Sequence, residues 1–308
     1  MAAATATPPA AAPPATAPPA AAMKAFAGRS DAAGLKRLTL HLGLLVAAGA
    51  LVALAPGLWV VPAMFVLGIV QVALFAPFHE TSHYTAFENA RLNTAVGWLA
   101  GLASLYNWHF YQRYHFWHHR FTNNPARDPE LADPPQHRWG DYLRRMFALT
   151  FWKFRLRILA DGLRGDLSRY PYISAASAPI VIRSIRLEVA VLLGGVLLSM
   201  ALFGWQTPFL FWILPQLLAQ PVLRLYLYTE HTGCSTDGNG LTNTRTTLTS
   251  PLVRLLMWNM PYHAEHHLYP FIPFHRLAAA HASIRNQLAY IQPGYARWHR
   301  GYVKELRP

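Results

Sequence analysis

The chain has 308 residues, of which 53% are hydrophobic and only 13% are charged. Average soluble domains contain about 25% charged residues, so this composition favours a membrane protein over a soluble one. The formal net charge of +13 does not indicate a nucleic-acid-binding protein, because the 27 Lys and Arg residues alternate with long uncharged stretches instead of forming one basic patch.

The N-terminal segment has an unusual composition. Residues 1–22 contain almost only Ala, Pro and Thr and carry no basic residue, which fits neither a signal peptide nor a helix. We therefore expect residues 1–37 to be a disordered Ala/Pro-rich tail followed by a cytoplasmic lead-in. The single cysteine, Cys234, excludes an intrachain disulfide.

Two long stretches without Asp, Glu, Lys or Arg predict membrane-spanning helices. The first covers residues 38–78 and is interrupted at Ala55-Pro56-Gly57, and the second covers residues 189–223 and is interrupted at residues 203–208. A helix needs about twenty apolar residues to cross the hydrocarbon core of a bilayer. Each stretch therefore predicts a helical hairpin, which gives spans at about residues 38–55, 58–78, 187–204 and 207–226.

The distribution of positive charge predicts the orientation of these hairpins. Four Lys and Arg residues precede the first hairpin, fourteen lie between the hairpins and nine follow the second one, from Arg224 onward. Cytoplasmic loops of membrane proteins are enriched in these residues. Both termini and the middle segment are therefore expected in the cytoplasm. The alternative, buried helices of a soluble protein, is disfavoured because neither hairpin has a polar face.

Two weaker patterns lie between the hairpins. Residues 92–108 are apolar but short and include several polar side chains, which favours a helix in the membrane interface. Residues 141–170 alternate basic and apolar positions, so an amphipathic surface helix and a solvated cytoplasmic helix both remain open. From Leu241 onward the sequence predicts a compact cytoplasmic cap.

Three histidine clusters dominate the chemistry of the chain, and they have the spacings H-x-x-x-H, H-x-x-H-H and H-x-x-H-H. Residues three and four apart share one face of a helix, so each cluster presents converging imidazoles. An isolated histidine follows the fourth predicted span and lies on the same cytoplasmic side as the clusters. Nine imidazoles exceed the ligands of one ion, which predicts two metal ions. The predicted ligands are His79, His83, His115, His118, His119, His231, His263, His266 and His267.

Two other functions would also use clustered histidines. The sequence from His79 to His83 also matches the H-E-x-x-H pattern of zinc peptidases, with Glu80 as general base, but that function leaves both H-x-x-H-H clusters unexplained. A non-catalytic metal transporter would place its histidines within the spans, whereas these lie at span ends and beyond. Glu80, Glu230 and Glu265 each adjoin a predicted ligand and are expected to orient imidazole rings.

At these residues the chain resembles the integral-membrane fatty acid desaturase family, whose members carry histidine boxes of these types in this order around two membrane hairpins. The resemblance covers about residues 38–290, including the surroundings Asn259–Pro270, and leaves residues 291–308 as a C-terminal tail. It implies an all-α membrane protein with four transmembrane helices in two hairpins and a cytoplasmic histidine-rich cap. That cap would hold two Fe ions on the nine histidines, with no catalytic residue beyond the metal centre.

The resemblance also implies a function and partners. O2 would be the co-substrate, the substrate a lipid or fatty acyl chain, and the electrons would come from a separate donor such as a ferredoxin or a cytochrome. The protein is expected in the bacterial inner membrane with its active site in the cytoplasm. The expected reaction is desaturation of a fatty acyl chain.

Two departures from the family pattern keep an alternative open. Stearoyl-type members have an Asn four residues before the isolated histidine, where this chain has Leu227, and Asn259 is a candidate substitute. The first box has three intervening residues, as in hydroxylases and carotenoid ketolases of the same superfamily. A lipid or carotenoid hydroxylase or ketolase on the same di-iron scaffold is therefore the alternative function.

Overall fold

The computed structural model describes residues 17–132 and 136–308. The α-helices of these residues are, in chain order, α1 (Ala20–Met23), α2 (Asp31–Leu54), α3 (Val60–Val72), α4 (Phe75–Ser82), α5 (Ala90–Ser104), α6 (Trp108–Phe121), α7 (Trp139–Met146), α8 (Leu149–Arg164), α9 (Ala178–Phe203), α10 (Leu214–His231), α11 (Pro251–Leu256), α12 (His263–Leu268), α13 (Leu277–Ile284) and α14 (Tyr295–Tyr302). Short 3-10 turns lie at Lys24–Phe26, Gly57–Trp59, Pro129–Ala132, Arg285–Gln287 and Val303–Glu305, and a π-helical turn lies at Phe209–Ile213.

Four helical segments of the described residues are long and apolar enough to cross a membrane. Their large apolar side chains face outward: Val46 is 74% exposed, Leu54 81% and Leu197 65%. A soluble protein buries such side chains, whereas lipid solvates them. The four segments are Asp31–Leu54, Gly57–Ser82, Ala178–Phe203 and Phe209–His231.

These helices are longer than the predicted spans, and they extend on the side that is rich in Lys and Arg. The first begins at Asp31 instead of residue 38, and the second ends at Ser82 instead of residue 78. Hydropathy marks where the lipid-facing part stops, but the backbone hydrogen bonds of a helix continue into polar sequence. The extensions matter because they carry His79 and His231 at the ends of the second and fourth segments.

The bundle is held together by α3, which packs against both α2 and α10. Gly68 makes the α3–α10 contact close: a Cβ atom there would lie 2.1 Å from the carbonyl oxygen of Pro215 and 2.8 Å from the Cβ of Ala219. Because α3 leads into the first histidine box and α10 ends at His231, this contact sets the distance between two parts of the predicted site.

Replacing Gly68 with alanine is expected to lower the melting temperature of the detergent-purified protein. Overpacking of a well-packed contact costs about 1–3 kcal/mol. Gly43 of α2 is the matched control, because a Cβ atom there meets nothing within 4 Å and alanine favours a helix by about 1 kcal/mol. Equal melting temperatures for the Gly68→Ala and Gly43→Ala variants would contradict the close contact.

The middle segment forms several helices where the sequence indicated two patterns. Residues 92–108 fall into α5 and the start of α6. The stretch 141–170 divides into α7 and α8 at Ala148, whose φ of 61° breaks the helix. α8 packs against α9 and therefore lies against one of the apolar segments.

The cap contains the only strands in the part of the chain that the structure describes, β1 (Thr246–Leu248) and β2 (Ile291–Pro293). They pair in parallel, with Thr246 opposite Ile291, and add a small sheet to the predicted all-α fold. Residues 291–308, predicted as a tail, thus take part in the cap, and Tyr302 contacts the hydroxyl of Tyr228 at 2.6 Å.

The predicted disordered tail lies partly outside the described residues, since the structure describes the chain from residue 17. Within residues 17–22, the hydroxyl of Tyr269 donates to the carbonyl oxygen of Pro18 at 2.6 Å. Met23 follows at the end of α1 and is buried with Leu241 and Leu277 of the cap. The segment after residue 16 is therefore attached to the cap.

Candidate metal centre

The helices that carry the histidine boxes start from well-defined contacts. Asn107 caps α6, where its side-chain oxygen accepts a hydrogen bond from the backbone N–H of Phe110 at 3.0 Å. Its amide also donates to Glu188 of α9 at 2.8 Å, which fixes the start of α6 against a neighbouring helix. The ring of Tyr111 stacks on His115, with 5.0 Å between centroids. The second box is thus held rigidly at the edge of the aromatic core.

Five of the predicted ligands form a first histidine group. One side-chain nitrogen of each lies within 4.8 Å of the others. His119 Nε2 is 3.0 Å from His115 Nε2 and 3.1 Å from His266 Nε2. Two nitrogens bound at right angles to one ion about 2.1 Å away would be about 3 Å apart, so these distances suit a shared ion. The first group consists of His79, His83, His115, His119 and His266.

Three further predicted ligands form a second histidine group: His118 from α6, His231 at the end of α10 and His267 from α12. One nitrogen of each again lies within 4.8 Å of the others. The ninth histidine, His263, belongs to neither group by this distance, but its Nε2 is 3.2 Å from His231 Nε2. All nine predicted ligands therefore converge on one region.

Each H-x-x-H-H box contributes to both groups. His118 and His119 are adjacent on α6, as are His266 and His267 on α12, and the two members of each pair go to different groups. Adjacent residues point about 100° apart around a helix, since a turn contains 3.6 residues. The doubled histidine of the motif is thus the feature that joins two sites side by side.

The chemistry of these nitrogens fits metal binding. Buried polar atoms are nearly always hydrogen-bonded, yet several ring nitrogens here have no hydrogen-bond partner. Burial lowers the pKa of His83 to about 3, and burial together with neighbouring imidazoles keeps the pKa of His115, His119, His263, His266 and His267 well below the usual value. Neutral imidazole is the form that binds metals. The unpartnered atoms are both nitrogens of His79, Nε2 of His83 and His267, and Nδ1 of His115, His119 and His263.

The three histidines of the second group are oriented by partners on their outer nitrogens. Nδ1 of His118 donates to Asp128 at 2.9 Å, Nδ1 of His231 donates to the carbonyl oxygen of Asn243 at 3.2 Å, and Nδ1 of His267 donates to the hydroxyl of Thr122 at 3.1 Å. In all three the Nε2 is left to face the group. Such outer hydrogen bonds are typical of metal-bound histidines.

Asp128 and Glu130 are functional candidates that the sequence reasoning missed. The signal was present, because Asp128-Pro129-Glu130 follows the second box by only nine residues. Glu130 Oε2 lies 3.8 Å from His118 Nε2. Burial lowers the pKa of His118, but the charges of Glu130 and Asp128 outweigh it and raise that pKa to about 9. His118 is therefore the imidazole of the site that carries a proton at neutral pH before metal binds.

The three acids predicted to orient rings have different partners. Glu230 Oε2 lies 3.5 Å from His263 Nε2, as expected for such a role. Glu80 instead accepts a hydrogen bond from the backbone N–H of Phe274 at 2.9 Å. The peptidase alternative needs the Glu80 carboxylate as its general base, and here one oxygen of that carboxylate is engaged by the backbone. Glu265 bonds to Thr246 and to His281, a histidine that was not predicted as a ligand.

The positions that departed from the family pattern also have clear environments. The amide of Asn259 donates to the carbonyl oxygen of Phe274 at 2.9 Å, so this side chain has a structural partner. Leu227 lies one helical turn before His231 and lines, with Glu130 and His231, a cavity of about 40 Å³. The wall of this cavity is therefore apolar at the position where an Asn was expected.

Comparison with known proteins identifies the family. A sequence profile of the fatty acid desaturase family matches residues 56–299. The chain is 33% identical over 104 residues to sn-1 oleoyl-lipid 12-desaturase of Picosynechococcus, a match that covers 32% of this chain and 30% of that protein. It is 27% identical over 281 residues to dihydrorhizobitoxine desaturase of Bradyrhizobium elkanii, covering 82% and 74%.

A third relative, a sphingolipid delta(4)-desaturase DES1-like protein of Arabidopsis thaliana, is 28% identical over 208 residues, covering 66% of this chain and 57% of that protein. Two of these three matches thus span less than two thirds of the relative's own length. The family profile, in contrast, covers well over half of this chain and includes every predicted ligand. The chain therefore belongs to the fatty acid desaturase family of membrane oxidoreductases.

Proposed function

We propose that this protein is an O2-dependent di-iron desaturase that acts on a lipid acyl chain. The observation that carries the proposal is the convergence of nine buried histidines into two adjacent groups at the ends of apolar helices. Imidazole suits several transition metals, so the choice of iron rests on the family and not on the donor atoms.

In this proposal the first histidine group holds one ion and the second group, with His263 beside it, holds the other. Bound iron would supply the redox chemistry with O2 that breaks an unactivated C–H bond, which no side chain of the site can provide. The protein keeps the imidazoles neutral by burial and orients three of them through Asp128, Asn243 and Thr122. It also holds substrate and metals at fixed positions, which is a large part of an enzyme's contribution.

The substrate class follows from the relatives and from the surface of the helices. The three relatives differ in the substrate that their names state and share the word desaturase. Two of the names refer to lipids, and the exposed apolar faces of this chain fit a membrane in which acyl chains are at hand. We therefore infer a lipid-linked or free acyl chain as substrate.

The membrane topology is part of the same proposal. The four segments form two hairpins with both termini and the metal centre in the cytoplasm, which is supported by the location of every Lys and Arg outside the uncharged stretches. Electrons come from a separate carrier. The basic cytoplasmic face favours an acidic donor such as a ferredoxin, and the rate of turnover is then expected to fall as salt concentration rises.

Lipid profiling by mass spectrometry tests the reaction. In a host that expresses the protein, we expect new acyl chains two mass units lighter than their precursors, and none in cells with the empty vector. Products sixteen units heavier would select the hydroxylase alternative, which the short first box favours. Purified protein that binds zinc, holds no iron and leaves the lipids unchanged would contradict both.

A further inference from the structure

The two histidine groups are unequal in their donors. The first contains five histidines, whereas the second contains three, with His263 as a neighbour. The carboxylates that contact predicted ligands among the described residues, in contrast, lie beside the second group: Asp128 and Glu130 beside His118, and Glu230 beside His263. An ion in the second group therefore has fewer imidazoles and more oxygen atoms within reach.

Glu230 is the one of these three carboxylates with a buried oxygen atom that lacks a hydrogen-bond partner among the described residues. It is only 7% exposed, and its Oε1 atom makes no hydrogen bond with any described residue. Its Oε2 atom lies 3.5 Å from His263 Nε2, which in turn is 3.2 Å from His231 Nε2. A buried carboxylate oxygen without a hydrogen-bonding partner is costly, so such groups are normally hydrogen-bonded, paired or bound to a metal.

The position of Glu230 on α10 brings its carboxylate to His263 and not along the direction of His231. Glu230 and His231 are adjacent and point about 100° apart, whereas Leu227 lies three and four residues before them and so shares a helix face with each. Leu227 offers no donor atom there. Of the other two acids, Asp128 is already bonded to Nδ1 of His118, and Glu130 has a side chain that is 37% exposed.

We propose that Glu230 supplies an oxygen ligand to the ion of the second histidine group, so that the two metal sites differ: one has only nitrogen ligands from the protein and the other has mixed nitrogen and oxygen ligands. This inference rests on the proposed function, since it requires that the chain binds two ions. Carboxylate is a common partner of imidazole in iron sites.

A second role for Glu230 must be separated from ligation. The carboxylate would act as a positioning group if it only accepted a hydrogen bond from His263 Nε2, because His263 would then bind metal through Nδ1, which is free of hydrogen bonds. Glutamine keeps the size and the hydrogen-bonding oxygen of Glu230 but is a poor metal ligand. A Glu230→Gln variant therefore retains the positioning role and loses the ligand.

The test is the number of iron ions per chain in protein reconstituted with Fe²⁺ and then dialysed against a mild chelator. We expect two ions in the wild type, about one in Glu230→Gln and about two in Glu230→Asp, which keeps the carboxylate. Glu305→Gln is the control and should keep two ions, because Glu305 is exposed and lies in the turn Val303–Glu305, which carries no predicted ligand.

Mössbauer spectra of the ⁵⁷Fe-loaded wild type and Glu230→Gln proteins give a second readout. The signal of the iron in the first histidine group is expected to be the same in both proteins, and the signal of the other iron is expected to be lost or shifted in Glu230→Gln. Two ions in Glu230→Gln with a spectrum identical to that of the wild type would overturn the inference. Fewer than two ions in the wild type would instead contradict the proposed di-iron function.

Discussion

Replacing His266 with alanine is expected to abolish the formation of desaturated product and to lower the bound iron from two ions per chain to one or none. His266 Nε2 lies 3.1 Å from His119 Nε2, and the side chain is 1% exposed. Alanine therefore removes a ligand atom and leaves an enclosed space that no neighbouring donor occupies. Lipid profiling of expressing cells and metal analysis of the purified variant measure the two effects.

His137→Ala is the matched control for this variant. His137 is exposed and belongs to neither histidine group, so the same substitution should leave both the product and the iron content unchanged. Full activity in His266→Ala would contradict the assignment of the third box to the metal centre. Loss of iron in both variants would point to general instability of the purified protein.

The nine histidines of the candidate site could be named from the sequence, but their division between two groups could not. The spacing of His115, His118 and His119 indicates a helix face with converging imidazoles, which the structure has. Which of the adjacent histidines faces which group depends on how α6 and α12 are rotated against α4 and α10. That rotation is set by tertiary packing, such as the contacts of Asn107 with Glu188 and of Tyr111 with His115.

The acids around the site show a second limit of sequence reasoning. Glu80, Glu230 and Glu265 attracted attention because each adjoins a histidine in the chain, yet only Glu230 lies beside a ring of the predicted site. Asp128, ten residues after His118, makes the direct hydrogen bond to that histidine. The turn at Asn123, which has a φ of 59°, brings the chain back, and its backbone N–H donates to Asp128. Hydropathy and histidine spacing do not reveal that a turn brings Asp128 back to His118.

The apolar spans were predicted well for a physical reason. The absence of charge over some forty residues leaves few alternatives to crossing a membrane. The ends of the helices were predicted less well, since α2 and α9 begin seven and nine residues before the predicted spans at 38 and 187. These extensions are amphipathic or polar, and their helical structure depends on contacts with the cap and the middle segment.

The affinity of the second histidine group for a divalent ion is expected to depend on pH through His118. The charges of Glu130 and Asp128 raise the pKa of His118 to about 9, although burial alone would lower it. At neutral pH this imidazole is protonated in the metal-free protein, so metal binding must release its proton. Affinity should therefore rise about tenfold per pH unit between about pH 7 and pH 9 and level off above, because the competing proton is then absent.

Replacing Asp128 with asparagine separates these effects. The variant loses one of the two charges that hold the proton, so the pH at which affinity levels off should fall, and fewer protons should be released on binding near pH 7. At about pH 9.5, where the imidazole is neutral in both proteins, the weaker orientation of His118 should lower the affinity by about 10- to 100-fold.

Titration with Co²⁺ in buffers of different ionisation enthalpy measures affinity and proton release together. Asp141→Asn, which removes an acid that pairs with Arg144 on the surface of α7, is the control and should match the wild type. Unchanged proton release in Asp128→Asn would mean that the hydrogen bond between Asp128 and His118 does not set the protonation of the site.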